Sequence, residues 1–348
     1  MKIGIVTVHD SSNYGSFLQA YALQRTLENM GHEVYFIRTR EKSYIRGIFF
    51  SKSDIKPLLT HPGKLAALLR DDLIKYRAFK REWKVFKTID DPKDVKLDRI
   101  ILGSDEIWNV TAPVFRRPVF YGIGFDNVHT YGISVSMARK EHFDKFPELE
   151  EAIRKIGHVL VRDENTGKVV EEITGRETSM VADPTFLCDV SEFAKAAPGY
   201  KKINKKYILI YSYVFNENLK NNIIRFAREN DLAIVSACIR HPWADIYVNG
   251  SPLSFCKLLE DAQYVVTTTF HGTVFSLLNH KRFVSEPFSP KVTDVLNKVE
   301  LDKALVEVGT DYETFSSKLK SDYDYSVVDR NVLKWRERSL ELLKKEID

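Results

Sequence analysis

Ile3-Gly4-Ile5-Val6-Thr7-Val8 runs into Asp10-Ser11-Ser12-Asn13-Tyr14-Gly15-Ser16, and beyond it Phe17, Ala20, Leu23, Leu27 and Met30 recur at helical spacing. A short apolar strand, a polar loop and a helix thus follow one another without a break. Gly31 stands where a helix end calls for a left-handed residue. Residues 34–37 then supply a second strand. Strand, crossover helix and strand make a parallel unit, the seed of an open α/β sheet.

The alternation continues outward from this unit. Apolar strands are expected at 99–102, 131–135 and 159–161, each ending in polar residues. From residue 206 the pattern starts afresh with strand 207–213, helix 217–229, strand 233–238, helix 252–262 and strand 264–267. Ser251 as cap and Pro252 in the first turn mark one of these helix starts. Between Gly175 and Lys206, a glycine, an Asp-Pro step and a lysine-rich stretch interrupt the rhythm. The expected architecture is α/β, with two Rossmann-like doubly wound domains facing a cleft. The first spans residues 1–180, with an insertion over 41–87 whose role is not legible, and the second spans 181–326. The last segment, 327–348, carries Val332, Trp335, Leu340 and Leu343 on one helical side and is expected to cross back onto the first domain.

Bulk properties agree with two cores. A chain of 348 residues exceeds what a single core usually organises, and 44% hydrophobic residues give enough to bury. No apolar run is long enough for a bilayer, and the opening residues are too short and strand-like for a signal peptide. A cytoplasmic location follows as an expectation, with at most a peripheral contact with anionic lipid headgroups at the inner face of a membrane. Cys188, Cys238 and Cys256 form no metal-ligand spacing and are odd in number, so buried thiols are expected rather than disulfides. The net charge of +4 is small, and the basic clusters at 116–117 and 201–206 lack interleaved aromatics, so no nucleic-acid partner is expected.

Ligands of open α/β sheets bind beyond the carboxyl ends of the strands, and four polar segments stand at such ends. The first is 10–16, where Gly15 permits close backbone approach and a helix start favours an anion; a plain turn capped by Asn13 or Ser16 suits the same residues. The second is Gly103-Ser104-Asp105-Glu106-Ile107-Trp108-Asn109, whose carboxylates could orient a sugar hydroxyl or take its proton, or whose Ser104 or Asp105 could simply cap a helix. The third is Arg162, a planar fork suited to phosphate or carboxylate, with a surface ion pair as the plain alternative. The fourth is Thr267-Thr268-Thr269-Phe270-His271-Gly272-Thr273, where a strand runs into three hydroxyls, an imidazole and a glycine before a helix expected at 273–278. It can bring an anion and a titratable donor together, although a core histidine beside a capping Thr269 also satisfies it.

In these segments the sequence resembles the polysaccharide pyruvyltransferase family. The matching stretches are 13–23, 103–109, Ala182-Asp183-Pro184-Thr185-Phe186-Leu187, and 267–275 with its preceding helix, in the same order across both halves. The resemblance implies the two-Rossmann arrangement called GT-B, phosphoenolpyruvate as donor, a pyruvate ketal on a sugar as product, and no essential metal or other cofactor. It associates Arg162 and His271 with the donor. Around them, Thr268, Thr269, Gly272, Thr273 and Lys291 are candidate donor-side residues, Asn13, Tyr14, Gly15, Ser104, Glu106, Asn109 and Ser134 are candidates for the acceptor side or the cleft, and Asp105 is a candidate second catalytic group. Three departures stand out. Thr269-Phe270-His271 replaces an Arg-Leu-His step, leaving Lys291 or Arg282 to supply the missing cation. Glu106 stands where glutamine is common, and Ser136 stands where the Tyr-x-x-Ser-x-Gly pattern from Tyr131 would end in glycine.

The chemistry so implied begins with protonation of the enol ether carbon by His271, since an unperturbed imidazole titrates near pH ~6.5. A lipid-linked or nucleotide-linked sugar would serve as acceptor. Two other readings share the same cleft, namely a glycosyltransferase using a nucleotide sugar, and a catalytically silent sugar- or anion-binding protein.

Overall fold

The computed structural model describes residues 1–39, 62–197 and 199–348, with side chains from residue 69 onward in the second stretch. β1 (Lys2–Val6) is buried from Ile3 to its end because it is the middle strand of a five-stranded sheet of order β3-β2-β1-β4-β5. Its neighbours are β2 (Glu33–Ile37), β3 (Thr88–Ile89), β4 (Arg99–Leu102) and β5 (Val128–Thr130), all parallel. Parallel strands covered on both faces read as unbroken apolar runs, as Ile100-Ile101-Leu102 does. Single-residue bridges from Asp105 to Ile133 and from Ile133 to Val161 carry this sheet on to β6 (Leu160–Val161) and β7 (Ser179–Met180). The strand expected over 131–135 is therefore split. Gly132, at φ +65°, turns the chain after β5, and Ile133 alone rejoins the ladder.

The second sheet repeats the plan with order β10-β9-β8-β11-β12. It contains β8 (Tyr207–Tyr211), β9 (Ala233–Ala237), β10 (Ile246–Val248), β11 (Tyr264–Thr267) and β12 (Arg282–Ser285), again parallel throughout. β9 stops one residue early because Cys238 takes φ +68°. The crossovers include α1 (Tyr14–Asn29), α2 (Pro62–Glu82), α3 (Pro147–Lys155), α4 (Glu164–Thr174), α5 (Glu217–Glu229), α6 (Pro252–Asp261), α7 (Phe270–Leu278), α8 (Pro290–Lys298) and α9 (Tyr312–Lys320), and α10 (Tyr325–Ile347) ends the chain. Both sheets thus point their strand ends at one cleft.

The halves share apolar packing. α1 is buried on nearly every side because it lies between the first sheet and α6. Tyr14, at its start, stacks with Phe79 of α2 at 5.6 Å and with Tyr211 of β8 at 6.1 Å, and meets Phe255 of α6 at 5.1 Å. Its hydroxyl donates to the carbonyl of Gly250 at 2.7 Å. Of the segment expected as an insertion, 41–61 lies outside the described residues. The remainder forms α2, which braces the second half: Lys75 donates to the Cys238 carbonyl at 3.2 Å, Asp71 pairs with Arg240, and Glu82 accepts the N–H of Leu253 at 3.1 Å. No helix among the described residues is long and apolar enough to cross a membrane. The three cysteines are free thiols, two of them buried.

α10 lies against the first half. Ser339 accepts the N–H of Ala182 at 2.9 Å, and Arg336 reaches the carbonyls of Phe186 and Cys188. At the far end Glu346 sits between His158 at 2.6 Å and His129 at 3.4 Å. Burial alone would raise the Glu346 pKa, but the bonds from both histidines outweigh it and hold the carboxyl below its ordinary value of 4.5. A depressed carboxyl pKa adds stability above the unfolded value, which is lost as pH falls through the folded one. Glu346→Gln is therefore expected to lower unfolding free energy at pH 7 by about 1–2 kcal/mol in urea titrations. The gap to the parent should narrow as pH falls below 4.5.

Candidate active site

Two helices, one from each half, begin at the same place. α7 starts at Phe270, three residues before the expected position, because Thr269 acts as its N-cap and its hydroxyl accepts the N–H of Gly272 at 3.0 Å. His271 consequently sits in the first turn. α1 starts behind Asn13, whose side-chain oxygen accepts from the N–H of Gly15 at 2.8 Å and of Ser16 at 3.3 Å. Gly15 lies flat against the imidazole: a Cβ there would stand 2.2 Å from Nδ1 of His271. Gly272 is equally constrained, since its Cβ would fall 2.1 Å from the Thr267 hydroxyl. Only hydrogen fits at either position. The positive ends of two helix dipoles thereby converge on one cavity of about 460 Å³.

Asp183 lies beneath this cavity. Its side chain is fully buried, and Oδ1 accepts from the N–H and hydroxyl of Thr185 at 3.1 and 2.8 Å. Oδ2 accepts from Arg162 Nη1 at 2.8 Å and from the Ser104 hydroxyl at 3.3 Å, with Nε2 of His271 3.7 Å away. Burial would push this carboxyl up, yet His271, Arg162 and Thr185 together hold it well below the ordinary range. Arg162 is likewise buried, and the carboxylates of Asp183, Asp105, Asp163 and Glu106 outweigh the cost of burying its charge. Its ion pair is thus an internal one, not the surface pair that an isolated arginine suggests. The ring of Phe270 lies 5.1 Å below the guanidinium.

The mouth is crossed by a second pair. Lys291, in the first turn of α8, donates to Glu106, so the loop after β4 and the second domain are joined over the opening. Burial would raise the Glu106 carboxyl, but Lys291 first, then Arg162 and Ser136, bring it below its usual value. Asp105 holds φ +90° and lies 3.9 Å from Arg162 Nη2, turning its carboxylate into the cavity. Tyr213, which receives a hydrogen bond from Asn13 at 2.7 Å, and the exposed Phe288 form an aromatic rim.

A family model described as polysaccharide pyruvyl transferase matches residues 13–286, from the cap of α1 to just past β12. The chain belongs to that family. Among curated proteins no sequence match is found. In structure the chain resembles a trehalose-6-phosphate synthase at a TM-score of 0.55 and 9% identity, over 100% of this chain and 99% of that one. It also resembles UDP-GlcNAc 2-epimerases: a putative one from Listeria monocytogenes at 0.55 and 11% identity, covering 100% and 96% of the two chains. The enzyme from Neisseria meningitidis bound to UDP-GlcNAc gives 0.52 and 11%, covering 99% of both. These likenesses concern the fold, which is GT-B-like with two Rossmann-like domains.

Of the residues singled out in the sequence, Asn13, Asp105, Glu106, Arg162, Thr268, Thr269, His271 and Lys291 line the cavity. Others do not reach it. Tyr14 is buried in the ring cluster, Ser104 lies beneath with Asp183, and Ser134 is buried and accepts the N–H of Ser136. Asn109 bonds its neighbour Thr111, while Gly15, Gly272 and Thr273 act as packing and capping positions. Arg282 is excluded as a donor-side cation, since it opens β12 at the end of the strand away from the cleft and pairs with Asp322. Lys291 alone of the two proposed substitutes enters the site, above Phe270 at 5.9 Å. Ser136 occupies a left-handed position at φ +57°, which explains the glycine of the family pattern. In the sequence Asp183 stands only within a matching stretch, because its Asp-Pro step reads as a turn.

Gly15→Ala should cost about 1–3 kcal/mol in chemical denaturation through overpacking, and a crystal structure of the variant should show the His271 imidazole displaced from Asp183. Asp183→Asn leaves Arg162 charged and without its buried partner. It is expected to destabilise by about 3–5 kcal/mol, read from the shift in denaturant midpoint.

Proposed function

We propose that this chain transfers pyruvate from phosphoenolpyruvate to two hydroxyls of a sugar, forming a pyruvate ketal and releasing inorganic phosphate. The observation that carries this reading is the position of His271, in a helix first turn, against a second helix start and within ion-pair distance of Asp183. Together with the family, it supplies the two requirements of such a donor: positive potential for its anionic groups and a proton donor for its methylene carbon.

In this reading the donor's phosphate and carboxylate sit over the starts of α1 and α7, with Lys291 exchanging Glu106 for the donor. His271 protonates the methylene carbon, leaving an electron-poor carbon at C2. One sugar hydroxyl attacks C2 as Asp105 takes its proton; the second hydroxyl then displaces phosphate to close the ketal, its proton returning to His271 while the proton on Asp105 passes to the departing phosphate. Asp183 does not touch the substrate. It holds the imidazole in line. Arg162 steadies Asp183 with Nη1 and presents its other edge to the cavity. Confinement of both reactants between the halves supplies much of the barrier reduction.

His271→Ala should reduce phosphate release from phosphoenolpyruvate by about 100-fold or more in assays with a panel of hexose and N-acetylhexosamine glycosides, while phosphoenolpyruvate still raises the melting temperature. Unchanged turnover would remove His271 from the acid role. A melting temperature raised by UDP-sugars and untouched by phosphoenolpyruvate would replace the whole reading with glycosyl transfer.

A further inference from the structure

The polar segment after β1 serves two cavities. Val8, Ser11 and Asn13 line the cleft described above, whereas His9 and Asp10 line a separate cavity of about 340 Å³ near the carboxyl ends of β1 and β2. The two cavities share no lining residue. Arg38, just past β2, and Thr88 of β3 join the second cavity, with Tyr76 and Lys80 from α2 and Trp83 and Lys84 from the turn beyond it. Its volume lies within the range of about 300–1,000 Å³ typical of small-molecule pockets, and strand ends of open sheets are where such pockets form.

The decisive group is Asp10. It is only 4% exposed, and among the described residues neither of its carboxylate oxygens has a hydrogen-bond partner. Arg38 Nη1 stands 3.9 Å from Oδ2, outside hydrogen-bond reach, while the Nε of the same guanidinium donates to Asp90. A buried carboxylate gives up its hydration, and with nothing donating to it that cost is not returned. Native structures rarely leave such a group alone, so each one calls for a partner. His9 fixes the backbone beside it, its ring packed against Phe36 at 4.8 Å and Phe86 at 5.5 Å.

The lining selects the guest. Arg38, Lys80 and Lys84 stand against the single carboxylate of Asp10, so the cavity carries net positive charge and suits an anion. A bare anion leaves the Asp10 oxygens unmet, whereas a guest that also carries hydroxyl groups donates to them. Phosphate matches the guanidinium fork and the two ammonium groups. Tyr76 and Trp83, edge to face at 6.4 Å, offer aromatic surface to the carbon face of a sugar or to a base. We propose that this cavity binds a phosphorylated polyhydroxy compound, a sugar phosphate or a nucleotide, with Asp10 accepting from its hydroxyls and Arg38, Lys80 and Lys84 holding its phosphate. This guest is neither the donor nor the sugar of the cleft, and the inference stands whether or not pyruvate is transferred there.

Isothermal titration calorimetry on the full chain tests this with glucose 1-phosphate, glucose 6-phosphate, UMP and AMP, set against inorganic phosphate, glucose, uridine and adenosine. At least one phosphorylated compound should bind about ten-fold or more tightly than inorganic phosphate and than its own unphosphorylated parent. Preference for a glucose phosphate identifies the guest as a sugar phosphate, and preference for UMP or AMP identifies it as a nucleotide; either upholds the site. Asp10→Asn should weaken that compound about ten-fold or more. The same change should leave the melting temperature of the unliganded chain level or raised, because the carboxylate has no hydrogen-bond partner to lose. Replacing Lys80 and Lys84 together by alanine should abolish the advantage of the phosphorylated compound over its parent. This double variant, altered only at exposed positions, decides the matter if Asp10→Asn fails to fold. The proposal is overturned if no compound binds more tightly than inorganic phosphate, if a folded Asp10→Asn variant keeps full affinity, or if the double lysine variant keeps the phosphate-dependent advantage.

Discussion

One buried carboxylate sets the geometry of the cleft. Asp183 draws in Arg162 from the end of β6, Ser104 from the loop after β4, and His271 from the start of α7 on the other half. Pairs so deeply buried add little net stability, because desolvation offsets much of their attraction. Their effect is positional: one carboxylate fixes three segments of the chain relative to one another. The segment carrying Asp183 is itself fixed from behind, by the Tyr131 hydroxyl donating to the Ala182 carbonyl at 3.0 Å and by Ser339 of α10. The terminal helix therefore acts on the cleft without entering it.

Much of this was legible because α/β sheets put their ligands at strand ends. Residues such as Asp105, Arg162, Thr269 and His271 follow apolar runs directly, and period-two and helical patterns locate those runs. What escaped has physical causes. Asp183 follows a strand of only two residues, too short to show in the pattern, and Asp-Pro is also an ordinary turn, so its role depends on contacts across 79 residues to Ser104 and further to His271. Tyr14 looked available because it stands in a polar loop, but its ring was taken up by aromatics from three other elements. The expected start of α7 fell three residues late because Gly272, a weak helix former, sits inside its first turn. Arg282 was proposed on charge alone, and charge says nothing of which end of a strand it will occupy.

Electrostatic matching runs through the whole opening. Lys291 faces Glu106, and Arg162 faces Asp183 and Asp105. The cavity keeps cations near its floor and mouth while the capping threonine leaves the helix start intact.

The ring cluster of Tyr14, Phe79, Tyr211 and Phe255 has a mechanical meaning. It ties α1 and α2 to β8 and α6 immediately behind the cleft floor, so the halves cannot draw apart there without wetting four aromatic faces. The contact of His271 with Gly15 lies beside this cluster and is held closed by the same cost of exposing aromatic surface to water.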